Sequence, residues 1–395
     1  SPCDDGERGA CVNPAGLTEL HARLRVPVWQ HGTRPYLLED DGGNFVLEGG
    51  QAVPSGSTED ICVSMTIPQG PMPEGGWPVV MYAHGTGGSF VSHLQDGTAG
   101  RVASINLGEG DPVRMVSISL DGAQHGPRRG DSDLSAETLF YNFLNPLTAV
   151  GNVQQGAADY FGLTYFLETA SIDVPGLDDP VRFDPTQLYY FGHSQGATVG
   201  GLFAAYERSL QGAIFSGAGG SLVLSLLNKT SPEDIAGGVA FVLTDGGTSP
   251  YPVNDMDPLL ALLQMVIDPV DPLNYARLYF ARPPSEEVAG IHMFQSYGFG
   301  DTYSPEPNQD AFAKATAAQL PQPSVGNLQG FSTTEYPVSG NRFANGAPTT
   351  AVVVPAQPNG YDGHFVIFRD AELTRQSMEF LGTAVRDGVP TVTRR

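Results

Sequence analysis

The sequence predicts an α/β protein: a mostly parallel central sheet flanked by helices, with a helical cap inserted late in the chain. Two observations predict it. From residue 79 onward, short apolar runs alternate with stretches of helical spacing, and repeated strand–helix–strand units imply a parallel sheet covered on both faces. Gly and Pro are plentiful, at 49 and 32 of 395 residues, while charged residues make up only 16%, a composition rich in loops.

Residues 1–70 read as an N-terminal arm followed by antiparallel edge strands. A short helix is expected over Leu17–Arg25. Extended stretches follow at Tyr36–Leu38 and Phe45–Leu47, separated by the turn-forming Asp40-Asp41-Gly42-Gly43, and Ile61–Ile67 alternates as a strand does. The core is assigned to 71–220 and 289–395. Its first part carries strands at Val79–Ala83, Met115–Leu120, Leu188–Phe191 and Ala213–Ser216. Between them lie a weak helix near Val91–Ile105, a long one over about Val150–Glu168 and a small-residue helix over Ala197–Tyr206. Residues 221–288 break this rhythm with apolar helical runs at Leu222–Leu227 and Leu259–Ile267, and read as a cap or lid insertion. Strand Met293–Tyr297, helix Gln309–Leu320, a Pro/Gly/Asn-rich stretch at 321–348, strand Ala351–Val354 and a final helix from about Ala371 to Val385 complete the chain.

Charge narrows the function classes. A net charge of −23 lacks the basic footprint of a nucleic-acid binder and should repel anionic substrates, so a neutral small molecule fits better. No apolar run reaches the ~20 residues that span a bilayer, so no integral membrane segment is expected. The three cysteines, Cys3, Cys11 and Cys62, are not completed into a metal site by a fourth thiol or a nearby His pair. They suggest one disulfide, Cys3–Cys11 or Cys11–Cys62, with one thiol left over. A chain starting at Ser1 reads as mature protein after signal removal, and both hints point to a secreted or periplasmic location. No cofactor and no metal are called for, and a monomer is expected.

The chemistry centres on Gly192-His193-Ser194-Gln195-Gly196, a G-x-S-x-G pattern where a strand ends and a helix begins. Such a turn strains the serine backbone, so the residues two positions either side must lack bulk, and it pushes the hydroxyl out above the sheet. The competing reading is a Gly-rich turn with an exposed serine. The loop His84-Gly85-Thr86-Gly87-Gly88 follows an earlier strand and supplies close backbone approach. Its Thr86 N–H, with that of Gln195, is nominated to hold the developing oxyanion. A phosphate loop is the alternative, but the Lys-Ser/Thr ending and the G-x-G-x-x-G fingerprint are missing.

Among the eight histidines, His364 lies in the loop after the last strand, where a base can reach Ser194. His292 starts a strand, the wrong end for a site at the strand C-termini. His125, in Asp121-Gly122-Ala123-Gln124-His125, is the main competitor, as a pocket or loop residue or with Asp121, Asp131 or Asp133 in a metal site. Asp301, after strand Met293–Tyr297, is the candidate acid; Asp362 and Asp245 are the alternatives.

The order Ser194, Asp301, His364, with the His84–Gly88 loop upstream, resembles the α/β-hydrolase superfamily, and more narrowly secreted bacterial lipases and esterases. The resemblance covers about residues 75–390. It implies a central, mostly parallel sheet with an antiparallel first strand, and a lid at 221–288 whose Leu259, Leu260, Leu262, Leu263, Val266 and Ile267 either face acyl chains or pack the insertion onto the sheet. It also implies ester hydrolysis through an acyl-enzyme on a small-molecule or lipid-like ester. The same machinery would serve polyesters, peptide bonds or acyl transfer. A non-catalytic binding module on this scaffold is the reading outside enzymes.

Overall fold

A computed structural model describes residue 3 and residues 16–244, 246, 253–286 and 290–395; Cys11 and Asp245 lie outside the described residues. Eight strands form a continuous path: β1 (Leu17–Pro27), β2 (Thr58–Pro68), β3 (Trp77–Ala83), β4 (Val116–Leu120), β5 (Val181–His193), β6 (Leu210–Ser216), β7 (His292–Gly298) and β8 (Ala351–Ala356). Their spatial order is β1-β2-β4-β3-β5-β6-β7-β8. A two-residue strand, Ser171–Ile172, pairs with the start of β5. Within the path only β2 runs against the others; its neighbours β1 and β4 both pair with it antiparallel, and the remaining pairs are parallel. Strands β3, β4, β7 and β8 are buried along their whole length, as a sheet covered on both faces demands. The reversed strand is the second rather than the expected first, because β1 lies outside it and runs with β4; that strand order, with its one reversed member, is the α/β-hydrolase fold.

The helix expected at Leu17–Arg25 is instead strand β1, paired with β2 from Leu17 opposite Pro68 to Pro27 opposite Thr58. Helix-favouring residue types mask the pattern here. Leu20, Ala22, Leu24 and Val26 alternate with His21, Arg23 and Arg25, a period of two, and a ladder partner turns that period into a strand. Tyr36–Leu38 is not a strand either. Tyr36 has φ 60, so the chain bends there, and a small sheet forms from Gln30–Gly32, Gly42–Glu48 and Gln51–Val53.

Helices cover both faces. Helix α1 (Pro146–Thr169) starts a turn before its expected position because the Asn145 side chain accepts Thr148 N–H and Pro146 suits the first turn. It packs Val153, Ala157, Tyr160 and Leu163 with α2 (Gln195–Tyr206) on one face. The cap segment holds α3 (Leu222–Asn228), α4 (Ile235–Leu243) and α5 (Pro258–Ile267). Helix α4 was not expected, since Gly237-Gly238 reads as a breaker; Asp234 caps it by accepting Gly237 N–H. Helix α6 (Glu306–Thr316) ends before the expected Leu320, because Ala317 turns left-handed (φ 61) and Leu320 enters a short strand with Thr333–Glu335. Helix α7 (Ala371–Asp387) covers the other face through Phe380, Leu381 and Ala384, and Gly388 at φ 78 stops it. No helix among the described residues is long and apolar enough to cross a membrane.

The disulfide joins Cys3 to Cys62, a correction to the pairings through Cys11. Cys62 sits on β2, and both half-cystines belong to an apolar cluster with Phe90, Val91, Leu94 and Ala99. That cluster brings Cys3 to the sheet. On the same side, His93 is fully buried between two strand serines, with Nδ1 2.8 Å from Ser117 Oγ and Nε2 3.1 Å from Ser64 Oγ. Burial pulls its pKa down to about 3.

Two outcomes are expected. Cys3→Ser should lower the urea midpoint under non-reducing conditions by the equivalent of roughly 2–4 kcal/mol, since the bond closes a loop of 59 residues; an unchanged midpoint would dismiss the bridge. The unfolded chain protonates the His93 ring near pH 6.5, whereas the folded state keeps it neutral to about pH 3. Its contribution is therefore complete above about pH 6.5 and lost as pH falls toward 3, by up to about 1.4 kcal/mol per pH unit. Denaturation curves at pH 7 and pH 5 should show a shallower acid loss for His93→Gln than for the parent chain.

Candidate active site

Strand β5 delivers Ser194 to the carboxyl edge of the sheet. Its backbone stands at φ 56 and ψ −117, a region that non-glycine residues reach only at a cost of about 1–3 kcal/mol. Three hydrogen bonds hold it: Ser194 N–H donates to Ser216 O on β6 (2.8 Å), and Ser194 O accepts Ala197 N–H (2.9 Å) and Thr198 N–H (3.2 Å). The flanking glycines are there for space. A Cβ on Gly196 would lie 2.1 Å from Ala83 O, and one on Gly192 would lie 2.6 Å from Gly196 O. The turn closes only because both are bare. Ser194 Oγ has no hydrogen-bond partner among the described residues and lines the main cavity.

The chain after β7 presents Asp301, and that after β8 presents His364 in a short turn, Gly363–Phe365. Asp301 Oδ2 accepts from His364 Nδ1 at 2.9 Å, with both side chains almost wholly buried. Its Oδ1 accepts Tyr303 N–H (2.8 Å) and Ser304 N–H (2.7 Å), which aims the carboxylate at the imidazole. That bond leaves Nδ1 as donor and Nε2 as the free lone pair. Asp362 has a different task. It accepts His364 N–H (2.8 Å) through Oδ1 and the Thr302 hydroxyl (2.5 Å) through Oδ2, tying the loop of Asp301 to that of His364. The imidazole is stacked on Tyr303 at 4.8 Å, and a Cβ on Gly217 (φ 54) would stand 2.6 Å from its Cε1.

Gly85 brings the Gly-rich loop against the serine, since a Cβ there would lie 3.1 Å from Ser194 Cβ. Within that loop Gly88 N–H donates to Gly85 O (3.0 Å) and Ser89 N–H to Ser92 Oγ (2.9 Å), whereas Thr86 N–H has no hydrogen-bond partner among the described residues. Gln195 N–H, at the first position of α2, has none either. The other histidines are accounted for elsewhere. His292 accepts Thr350 N–H through Nδ1 (3.0 Å) and pairs with Gly388 O, at the opposite edge of the sheet. His193 contacts Ser216 Oγ, and burial drives its pKa well down. The candidate metal site around His125 does not form: Asp121 Oδ1 accepts Phe90 N–H (3.0 Å), and no metal-binding cluster of His, Cys, Asp or Glu occurs among the described residues.

The cavity over this edge measures about 580 Å³ and takes in Ser194, His364 and Thr86. One wall is apolar, built from Phe143, Val153, Leu222, Leu226, Leu263 and Ile267. The apolar face expected on α5 therefore splits: Leu263 and Ile267 line the cavity, Leu260 is buried, and Leu259 and Leu262 are about 60% exposed. Sequence reasoning missed Tyr141, Phe143 and Lys229 in the lining. The Lys229 ammonium lies 5.8 Å above the Tyr141 ring, its pKa lowered by burial against the pull of Asp301 and Glu137. No motif marks these positions; only the Asn145-Pro146 helix start, which fixes where the preceding loop ends, was available as a signal.

Because Gly217 leaves no room beside the imidazole, Gly217→Ala is expected to push His364 aside. Labelling of Ser194 by a fluorophosphonate should slow by roughly 10²-fold, the cost of about 1 Å of misplacement. A labelling rate equal to that of the parent chain would mean that the imidazole does not act on this serine.

No family model matches the chain, and no curated protein matches it. Among solved structures it is similar to an acetyl xylan esterase from Paenibacillus sp. R4, at 13% identity and TM-score 0.46, over 80% of this chain and 78% of the other. It is similar to a peroxisomal α/β-hydrolase of Saccharomyces cerevisiae at 13% identity and TM-score 0.45, over 93% and 90%. The acylaminoacyl peptidase of Pyrococcus horikoshii is similar at 10% identity and TM-score 0.46, over 97% of this chain and 43% of that one. On its own strand order, reversed second strand and strained serine turn, the chain has the architecture of the α/β-hydrolase superfamily.

Proposed function

We propose that the protein is a serine carboxylic-ester hydrolase working through an acyl-enzyme. The observation that carries the reading is His364, held by the buried Asp301, lining one cavity with a strained, unbonded Ser194. Ser194 Oγ attacks the ester carbonyl while His364 Nε2 takes its proton. The Thr86 and Gln195 N–H groups hold the oxyanion, each contributing about 3 kcal/mol by precedent. Collapse breaks the bond to the alcohol, which leaves with the proton from His364. Water, deprotonated by the same ring, then releases the acid and restores Ser194. Asp301 orients the ring and stabilises its charged form.

The apolar wall favours an apolar acyl group. Asp96, Glu137, Glu233 and Asp271 line the cavity against Lys229, a balance that suits a neutral ester better than an anionic one. Helices α3–α5 serve as a cap over the acyl wall, and α4 and α5 turn Phe241, Val242, Leu259, Leu262 and Met265 outward. A secreted or periplasmic setting agrees with the disulfide.

A series of p-nitrophenyl esters from acetate to decanoate tests the proposal. The parent chain should favour acyl chains longer than acetyl, and Ser194→Ala should lose all turnover and all fluorophosphonate labelling. Turnover that survives Ser194→Ala would sink the mechanism; activity confined to acetate would sink the apolar-acyl assignment.

A further inference from the structure

Strands β3 and β4 are parallel neighbours, so the loops leaving their carboxyl ends lie side by side: 84–89 after β3 and 121–126 after β4. Two imidazoles cross between them in opposite directions. His84 on the first loop accepts Gly122 N–H of the second at Nε2 (3.0 Å), and its Nδ1 meets Gly85 O (2.8 Å). His125 on the second loop accepts Gly87 N–H of the first at Nε2 (3.0 Å), and its Nδ1 meets Ala123 O (2.9 Å). The rings meet edge to face at 4.7 Å. A backbone N–H only donates and a carbonyl only accepts, so the partners assign each ring as neutral with its proton on Nδ1. Both rings are buried, and burial drives the His125 pKa well below the ordinary histidine value.

The consequence falls on the loop. Gly85, Gly87 and Gly88 leave its backbone free to adopt many conformations. Gly87 stands at φ 79 with its N–H turned to His125 rather than to the cavity, and Gly88 N–H is held by Gly85 O. Of the four amides from Thr86 to Ser89, Thr86 N–H alone is left without a partner among the described residues. Resting on the reading of Ser194 as nucleophile, we propose that His125 is a positioning residue: by accepting Gly87 N–H it sets the loop so that the Thr86 amide faces the carbonyl oxygen. It touches no reacting atom. Its effect belongs to the transition state, because a loose loop lets substrate in but holds the oxyanion poorly.

The experiment compares the parent chain, His125→Ala and His125→Gln, whose Oε1 can also accept the Gly87 amide. Each is measured with p-nitrophenyl butyrate. Each is also titrated with a trifluoromethyl ketone, which forms an anionic adduct on serine, and with the matching methyl ketone, which binds without one. His125→Ala should lower kcat by about 10²-fold with KM within about twofold, as loss of one oxyanion donor does. The trifluoromethyl ketone should weaken by a similar factor, the methyl ketone should be unaffected, and His125→Gln should recover most of the loss. Unchanged kcat in His125→Ala overturns the proposal, as does equal weakening of both ketones. If His125→Ala fails to fold, His125→Gln decides: near-parental kcat supports the role, and a loss as large as that expected for alanine overturns it. A parent chain that hydrolyses no ester and takes no fluorophosphonate would instead remove the ester-hydrolase reading, and this proposal with it.

Discussion

The contact on which the site depends is the seat of Gly196 on the carbonyl of Ala83. It brings α2 hard against β3, and a side chain as small as alanine would collide with that oxygen. The close approach forces the turn at Ser194 into a left-handed conformation, and the hydrogen bond from Ser194 N–H to Ser216 on β6 keeps it there. Strain of this kind persists only where the surroundings over-determine it. Here three neighbouring strands do so. The hydroxyl is raised above the sheet edge by backbone geometry, and nothing in its own side chain has to hold it there.

Around that turn the protein keeps its imidazoles neutral and committed. His93, His125 and His193 are buried, and burial lowers the pKa of each. Each has a partner chosen from serines or backbone groups rather than carboxylates. His364, which lines the cavity, is paired instead with a carboxylate, that of Asp301. In a chain of net charge −23, with acids to spare, serines and backbone groups hold His93, His125 and His193 instead.

How much of this could be read beforehand depended on how local the cause was. The serine turn was legible because its glycines answer a steric demand within five residues. Strands β3 to β8 were legible because parallel strands must be apolar on both faces, whereas β1 was misread. Its residues favour a helix one by one, and only the ladder with β2 decides otherwise. Asp301 emerged from strand order, while the task of Asp362 could not, because its partner Thr302 is sixty positions away. Tyr141 and Lys229 reach the cavity from loops and caps whose course is set by packing, which leaves no spacing pattern to find. The cysteine pairing failed for a similar reason: the cluster with Phe90 and Leu94 that joins Cys3 to Cys62 is assembled from distant stretches of chain.

The bond between the Thr302 hydroxyl and Asp362 has a wider implication for how such a chain can change. It staples together the two ends of a long excursion, so the separation of Asp301 and His364 is set by a contact between two short turns as well as by α6 and β8 between them. Within that excursion Val338 and Ala344 are buried in the core, whereas 323–335 is exposed or half-buried and is where added length would disturb least. New surface can therefore be built on 323–335 while two short turns hold Asp301 and His364 together.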